Sequence, residues 1–121
     1  MTSDVRWFVH AQITRWIDKD PQPGIVECRL TDVLGVEWTF ISKFYDFTTT
    51  ELWSDSTYPQ AGYIACEIIS HDRDASGRET AEIDTGQPFR GLESEEGVAR
   101  FKVFSDLLVT DALPEPIVRL P

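Results

Sequence analysis

The stretch HDRDASGRETAEID, residues 71–84, carries side chains that could bind calcium. An EF-hand loop follows the pattern D-x-[DN]-x-[DN]-G-x5-E, and its last glutamate supplies two oxygen ligands. If Asp72 takes the first position, Gly77 falls at the sixth, as the pattern requires, but the twelfth position holds Ile83. The flanking residues alternate with period two, whereas an EF-hand needs helices. We therefore interpret the stretch as a hairpin whose acidic tip is shaped by Asp72 and Asp74 bonding nearby backbone and by Gly77 at positive φ, with calcium binding of a non-EF kind as the alternative.

Residues suited to catalysis are few. Nucleophilic catalysis needs a base beside a nucleophile, and the only histidines are His10 and His71. The chain has no GxSxG sequence, no glycine-rich phosphate loop and no close ligand pair for zinc. The two cysteines, Cys28 and Cys66, lie in strand-like runs, where we expect buried thiols; a disulfide would require neighbouring strands. We predict no enzyme, no metal and no cofactor, and a hydrolase with a histidine or carboxylate site stays open as a third hypothesis.

The charge of the chain indicates the kind of partner. Twenty-one acidic residues against eleven basic ones give a net charge of −10. Residues 51–98 hold eleven of the acids and only three of the bases, so this segment carries −8 of the total. Nucleic-acid binding needs Lys and Arg to neutralise phosphates, which makes a nucleic acid an unlikely partner. A basic protein fits better, because complementary fields speed encounter, although the acidity could also serve solubility alone.

Aromatic side chains accompany the acids in segments that read as loops. Aromatic anchors ringed by charge of one sign are typical of protein-binding surfaces, although such rings can also fold back over the core. The residues that we predict to bind a partner are Trp53, Asp55, Tyr58, Asp72, Asp74, Glu93, Glu95 and Glu96. In this interpretation the aromatics are anchors and the carboxylates pair with Arg or Lys.

Hydrophobic alternation predicts the elements that must position these residues. Period two runs through VRWFVHAQITRWI, through the hairpin IVECRLTDVLGVEWTFISK, and through YIACEIIS, RETAEID and VARFKVF. In the hairpin, Glu27 is expected to face solvent. The pattern predicts a mostly β fold, a small antiparallel β-barrel or sandwich (OB-like or SH3-like) of about six strands with at most one or two short helices. Residues 1–112 form one β domain in this interpretation, and residues 113–121 an extended Pro-containing tail.

Two segments are less regular. Residues 44–62 read as a long connection, with one helical turn after Thr50. SDLLVTDAL, from residue 105, reads as a short closing helix capped by Ser105. The N-terminus lacks the pattern of a signal peptide, and no apolar run approaches the ~20 residues needed to cross a bilayer, so we expect a cytoplasmic protein that does not enter a membrane.

The succession DVLGVEWTF, YPQAGYIACEI, DASGRETAEIDT and GLESEEGVARFKV resembles a group of small, uncharacterised bacterial proteins of mostly β structure. Some acidic bacterial proteins of this size are immunity proteins that neutralise secreted toxins, many of them basic nucleases. The resemblance implies such a function by analogy and assigns no site residue.

The leading hypothesis is a non-enzymatic acidic binding protein that recognises a basic protein, as an immunity protein does. The alternative is a small-ligand or nucleic-acid-binding β-barrel module in which Trp16, Phe44 and Tyr45 stack against a ligand. Its nucleic-acid form requires six cations to converge on one face: Arg6, Arg15, Arg29, Lys43, Arg100 and Lys102. The sequence leaves the oligomeric state open.

Overall fold

The fold is built from antiparallel strands. A computed structural model of the protein describes residues 6–17, 24–87 and 91–110. The strands are β1 (Trp7–Trp16), β2 (Ile25–Thr31), β3 (Glu37–Lys43), β4 (Gln60–Arg73), β5 (Glu79–Asp84), β6 (Arg100–Phe104) and β7 (Leu108–Thr110). Two 3-10 turns, Phe44–Asp46 and Ser105–Leu107, are the helical elements of these described residues. The predicted mostly β, antiparallel fold is confirmed.

The sheet curls into a half-barrel. Its strand order is β3-β2-β1-β4-β5-β6, and β7 pairs with the N-terminal part of β1. A 3-10 turn thus carries the chain from β6 back to the first strand. The two ends of the sheet also approach each other, because the Val33 N–H donates to the Lys102 carbonyl oxygen at 3.0 Å and the Trp38 ring meets Phe101 edge-on at 5.5 Å.

Alternation places the core on the concave face of the sheet. Val9, Ala11 and Ile13 of β1 are buried, while Gln12 between them is exposed. The same pattern buries Val26, Cys28 and Leu30 of β2 and Phe40 of β3. Among the described residues, fifteen buried apolar side chains form one cluster, and burying each large one stabilises the fold by about 1.5–3 kcal/mol. The predicted tail, residues 113–121, lies outside the described residues.

The two irregular segments differ from expectation. The chain turns in a 3-10 conformation at Phe44–Asp46, before the predicted position, and residues 51–53 after Thr50 are not helical, so that prediction was wrong. The buried side chains of Phe47 and Leu52 hold this connection against the core instead. The predicted closing helix is only a 3-10 turn, which Ser105 does not cap, and Leu108–Thr110 joins the sheet because the edge of β1 offers backbone partners.

The two cysteines are buried and unbridged, as predicted. Strand β1 lies between the strands that carry them: Cys28 pairs with Ile13, and Cys66 pairs with Trp7. Ile13 and Trp7 are six residues apart on β1, or roughly 20 Å in an extended strand, which is too far for a disulfide. Burial raises the pKa of the Cys66 thiol to about 12, so neither the position nor the protonation state suits a nucleophile.

Candidate functional site

The structure places seven of the eight candidate residues on three separate loops and the eighth, Asp72, at the end of β4 beside one of them. Trp53, Asp55 and Tyr58 belong to the Trp53 loop (residues 47–59), which precedes β4. Asp72 and Asp74 lie at the Asp74 tip (residues 72–78), where β4 turns into β5. Because β4 has 14 residues, the Trp53 loop and the Asp74 tip lie at opposite ends of a strand up to roughly 40 Å long.

The third group surrounds the Glu95 turn (residues 93–98), which leads into β6. The Ser94 N–H donates to the Val98 carbonyl oxygen at 2.8 Å, the Ser94 hydroxyl accepts from the Val98 N–H at 3.1 Å, and Gly97 has φ +85°. Ser94 is buried, whereas Glu93, Glu95 and Glu96 are exposed. The Glu95 N–H donates to the Thr39 carbonyl oxygen of β3 at 2.7 Å, which fixes the turn against that strand.

The Trp53 loop presents one exposed aromatic ring and one that contributes to packing. The Trp53 side chain belongs to a residue that is 49% exposed, and the backbone N–H of Trp53 donates to the Ser56 hydroxyl at 2.9 Å. The Tyr58 ring packs against the core, and its hydroxyl donates to the Trp53 carbonyl oxygen at 2.7 Å. Burial, together with the charge of Asp55, raises the pKa of Tyr58. Trp53 is therefore the ring available as an anchor, and Tyr58 supports the backbone that carries it.

The Asp74 tip is the hairpin turn predicted in place of a calcium loop. The Asp74 Oδ1 accepts from the Ser76 N–H at 2.9 Å, the Ser76 hydroxyl at 2.7 Å and the Arg78 N–H at 3.0 Å. These hydrogen bonds, that from the Ser76 hydroxyl foremost, hold the pKa of Asp74 below its ordinary value. Asp72 accepts from the Arg73 N–H at 2.8 Å, and Gly77 has φ +89°. The predicted roles of both aspartates and of the glycine are confirmed.

The structure shows no arrangement of metal ligands at this tip or elsewhere in residues 6–17, 24–87 and 91–110. No group of three or more His, Cys, Asp or Glu side chains in these ranges is placed to hold an ion. At the Asp74 tip, one carboxylate oxygen of Asp74 already accepts three hydrogen bonds from its own turn.

Ion pairing divides the acidic side chains into two groups. Five arginines, Arg15, Arg29, Arg73, Arg78 and Arg100, form salt bridges in the described part of the chain. Their partners are Glu27, Glu37, Glu79, Glu82, Asp84 and Asp106. None of the six candidate carboxylates, Asp55, Asp72, Asp74, Glu93, Glu95 and Glu96, has such a partner within the same ranges. The candidate acids therefore carry charge that the described arginines do not neutralise.

Glu27 is buried, which corrects the expectation that it faces solvent. It is 4% exposed, and its carboxylate accepts from the Thr14 hydroxyl and lies 3.2 Å from Arg15 and 3.3 Å from Arg29. Burial alone would raise the pKa of Glu27, but the hydrogen bonds from Thr14 and Arg15 and the charges of Arg15 and Arg29 outweigh it and lower the pKa. Sequence reasoning missed this because Thr14 and Arg15 come from another strand.

The histidines lie apart from each other. His10 meets the Tyr63 ring edge-on at 5.3 Å, on the face of the sheet away from the core. His71 lines an open surface groove of about 410 Å³ together with Asp72, Arg73, Glu79 and Thr80. The groove is shallow and its Glu79 is paired with Arg73 at 2.9 Å. A carboxylate held by an arginine on the surface lacks the desolvated setting that general acid–base catalysis uses.

The alternative hypothesis relied on cations and aromatic rings elsewhere. Arg15 and Arg29 both contact Glu27, and Arg100 pairs with Asp84 at 3.3 Å. These three arginines form salt bridges within the protein, so their charge is already compensated and is not available to bind phosphates. Trp16 and Phe44 are partly buried against the core, and only Tyr45, at 50%, is largely exposed.

Comparison with known proteins gives no relative to set beside this geometry. No family model, no curated protein and no solved structure matches the chain. Within the described ranges, no helix is long and apolar enough to span a membrane.

Proposed function

We propose that this protein is a non-enzymatic binding protein that recognises a basic protein, most concretely as an immunity protein that neutralises a basic toxin. The observation that carries the proposal is the division of the carboxylates. The five described arginines that form salt bridges pair with acids that are not candidates, so the charge of Asp55, Asp72, Asp74, Glu93, Glu95 and Glu96 is left for a partner.

The exposed carboxylates suit steering more than tight contact. Exposed ion pairs contribute little stability each, but a surface of one sign accelerates encounter with an oppositely charged protein. Affinity then requires a desolvated anchor, and Trp53, with 49% of its surface exposed and its backbone held by Ser56 and Tyr58, is suited to that role.

The separation of the loops limits the contact that one partner can make. A standard interface buries ~800 Å² on each side, a patch of roughly 30 Å across, so a partner that covers the Trp53 loop does not also cover the Asp74 tip. We therefore expect one or two of the three loops to contact the partner directly and the remaining charge to act at a distance.

Capture from a lysate of the native organism tests the proposal. The immobilised protein should retain a protein with an excess of Lys and Arg at low salt, and much less of it at ~0.5 M salt, where the Debye length falls to roughly 4 Å. Retention of no basic protein at either salt concentration would reject the proposal. Retention of a partner that salt leaves unchanged would reject the part assigned to the carboxylates.

A further inference from the structure

Strand β3 leaves part of its backbone unpaired. It lies at one end of the strand order, with β2 on one side only. The Asp32 N–H donates to the Val36 carbonyl oxygen at 2.9 Å, which makes these two residues a hydrogen-bonded pair. Such pairs alternate along an antiparallel ladder, so Thr39, Ile41 and Lys43 direct their N–H and C=O groups away from β2.

Two further hydrogen bonds agree with this direction. The Phe44 N–H donates to the Gly24 carbonyl oxygen at 3.0 Å, as expected if the even-numbered residues of this segment pair with the β2 side. The Thr39 carbonyl oxygen, which points outward, accepts from the Glu95 N–H at 2.7 Å. The Glu95 turn thus uses the middle of the outer edge, and Ile41 and Lys43 have no loop partner among the described residues.

We propose that the outer edge of β3 at Ile41 and Lys43 is where the partner docks, by adding an extended, lysine- or arginine-rich segment to the sheet. This inference rests on the proposed function and names its contact. An extended peptide gains affinity from main-chain hydrogen bonds to a sheet edge and specificity from the side chains beside it. The edge itself carries the exposed side chains of Ile41 and Lys43; the Glu95 turn, which is bonded to Thr39, brings three exposed carboxylates to this side of the sheet, and the 50% exposed ring of Tyr45 follows Lys43 in the chain.

Charge decides between this occupant and a second copy of the chain. Edge-to-edge pairing of two β3 strands would bring two Glu95 turns, each with three exposed carboxylates, toward one another. Like charges across an interface oppose association, while Lys or Arg on an incoming strand would meet these carboxylates favourably. A net charge of −10 on each chain adds to the repulsion.

Amide hydrogen exchange with a defined probe tests the edge directly. The probe is the nine-residue peptide TKTKTKTKT, and its control is the same peptide N-methylated on alternate residues, which keeps the charge but removes the hydrogen-bond donors of one edge. The parent peptide should slow exchange of the Ile41 and Lys43 amides about tenfold or more, whereas the N-methylated peptide should leave them unchanged. Unchanged exchange of both amides at saturating peptide, or no binding of the peptide at all, would overturn the inference.

A variant separates this inference from the proposed function. Ile41→Pro removes an outward N–H without removing a hydrogen bond to β2, since proline is tolerated at such edge positions, and Ile41→Val is the matched control. Ile41→Pro should bind the peptide and the captured basic protein at least about tenfold more weakly than Ile41→Val. If both variants bind the captured protein equally, docking at the edge of β3 is overturned while the proposed function stands.

The exchange measurement on the unchanged protein remains decisive if Ile41→Pro perturbs the fold, which the dispersion of its amide spectrum would reveal. Ile41 and Lys43 amides that are already protected without peptide, in a protein that sediments as a dimer, would identify a second copy as the occupant and overturn the proposal.

Discussion

Two hairpin tips, the Leu34 tip (residues 32–36) and the turn of the Asp74 tip (residues 74–78), are each opened by an aspartate and have a glycine at the fourth position. In each, the aspartate N–H bonds the fifth residue's carbonyl oxygen at 2.9 Å, and the aspartate Oδ1 accepts from the third and fifth N–H groups at 2.9 and 3.0 Å. The glycines, Gly35 and Gly77, have φ +81° and +89°. The two backbones are therefore built alike.

The tips differ in how they are attached to the rest of the protein. At the Leu34 tip, the Asp32 Oδ2 accepts from the Trp38 indole N–H at 3.0 Å, and the Val33 N–H reaches Lys102. At the Asp74 tip, the Arg73 guanidinium donates to the Gly77 carbonyl oxygen at 2.8 Å, and Arg78 lies 3.5 Å from the centre of the Phe104 ring. One tip is tied down through a partly buried indole, the other through exposed arginines.

Their surfaces differ as well. Leu34 is 84% exposed beside the half-exposed Val36, whereas the Asp74 tip presents polar and charged side chains. The aspartate and the glycine therefore fix the backbone of the turn, while the residues at the other positions determine which side chains it exposes to solvent. This is why a turn can look like the start of a calcium loop while its aspartate serves the turn itself.

Removal of the aspartate should have the largest effect, and a larger one at the Leu34 tip. Asp32→Ala leaves the Trp38 indole N–H and two backbone N–H groups without their acceptor, and we expect a loss of about 2–3 kcal/mol in the free energy of unfolding. Asp74→Ala should lose less, because water replaces the lost bonds at an exposed turn. Urea denaturation measures both. Asp32→Asn keeps the Oδ1 acceptor, so its free energy of unfolding should lie between those of the unchanged protein and Asp32→Ala. Equal losses for Asp32→Ala and Asp74→Ala would contradict the difference in how the two tips are attached.

Substitution of the glycines should have a smaller and similar effect at both tips. A Cβ at Gly35 or Gly77 would meet no atom within 4 Å, so the expected cost comes from positive φ alone. We expect Gly35→Ala and Gly77→Ala each to lose about 1 kcal/mol of unfolding free energy. Asparagine, which tolerates this conformation better, serves as the control at each position. A clear inequality between the two alanine variants would show that the backbones are not equivalent.

Acid should weaken the Asp74 tip through its own carboxylate. A lowered pKa in the folded state means that the carboxylate of Asp74 stabilises the fold above its ordinary pKa. That contribution is lost as the pH falls through the depressed pKa. The difference in unfolding free energy between the unchanged protein and Asp74→Asn should therefore shrink as the pH is lowered from 7 toward 2. A difference independent of pH would mean that the turn does not favour the ionised carboxylate.

Substitution of the exposed Leu34 should have the smallest effect on the free energy of unfolding. Leu34 touches little, so Leu34→Ser should change the free energy of unfolding by less than about 0.5 kcal/mol. Leu30→Ala, in the buried part of the same hairpin, should lose about 2–5 kcal/mol and provides the control. A large loss for Leu34→Ser in thermal or urea denaturation would show that the Leu34 tip is packed rather than exposed.

Much of the fold was predictable because its information is local. The alternation of Val9, Ala11 and Ile13 determines which face of β1 is buried, and Asp with Gly at fixed spacing predicts the hairpin turns. The path of residues 44–59 was not predictable in the same way, because Phe47 and Leu52 are fixed by tertiary packing.

The candidate site was predictable only in part. All its residues but Asp72 do lie in loops, but their grouping depends on the length of β4, whose last three residues, His71, Asp72 and Arg73, are exposed and polar and give no apolar strand signal. The edge of β3 was missed because an unpaired backbone leaves no pattern in the side chains. Which acids are neutralised depends on contacts between strands, as Glu27 and Arg15 show.

The most direct test of the account compares two triple variants with the same change in net charge. Glu93→Gln, Glu95→Gln and Glu96→Gln remove unpaired carboxylates, whereas Glu37→Gln, Glu79→Gln and Asp106→Asn remove exposed carboxylates that arginines already neutralise. We predict that, at low salt, the first triple slows association with the captured basic protein about tenfold or more while the second changes it little. Equal slowing by both triples would show that only the total charge matters and would contradict the account.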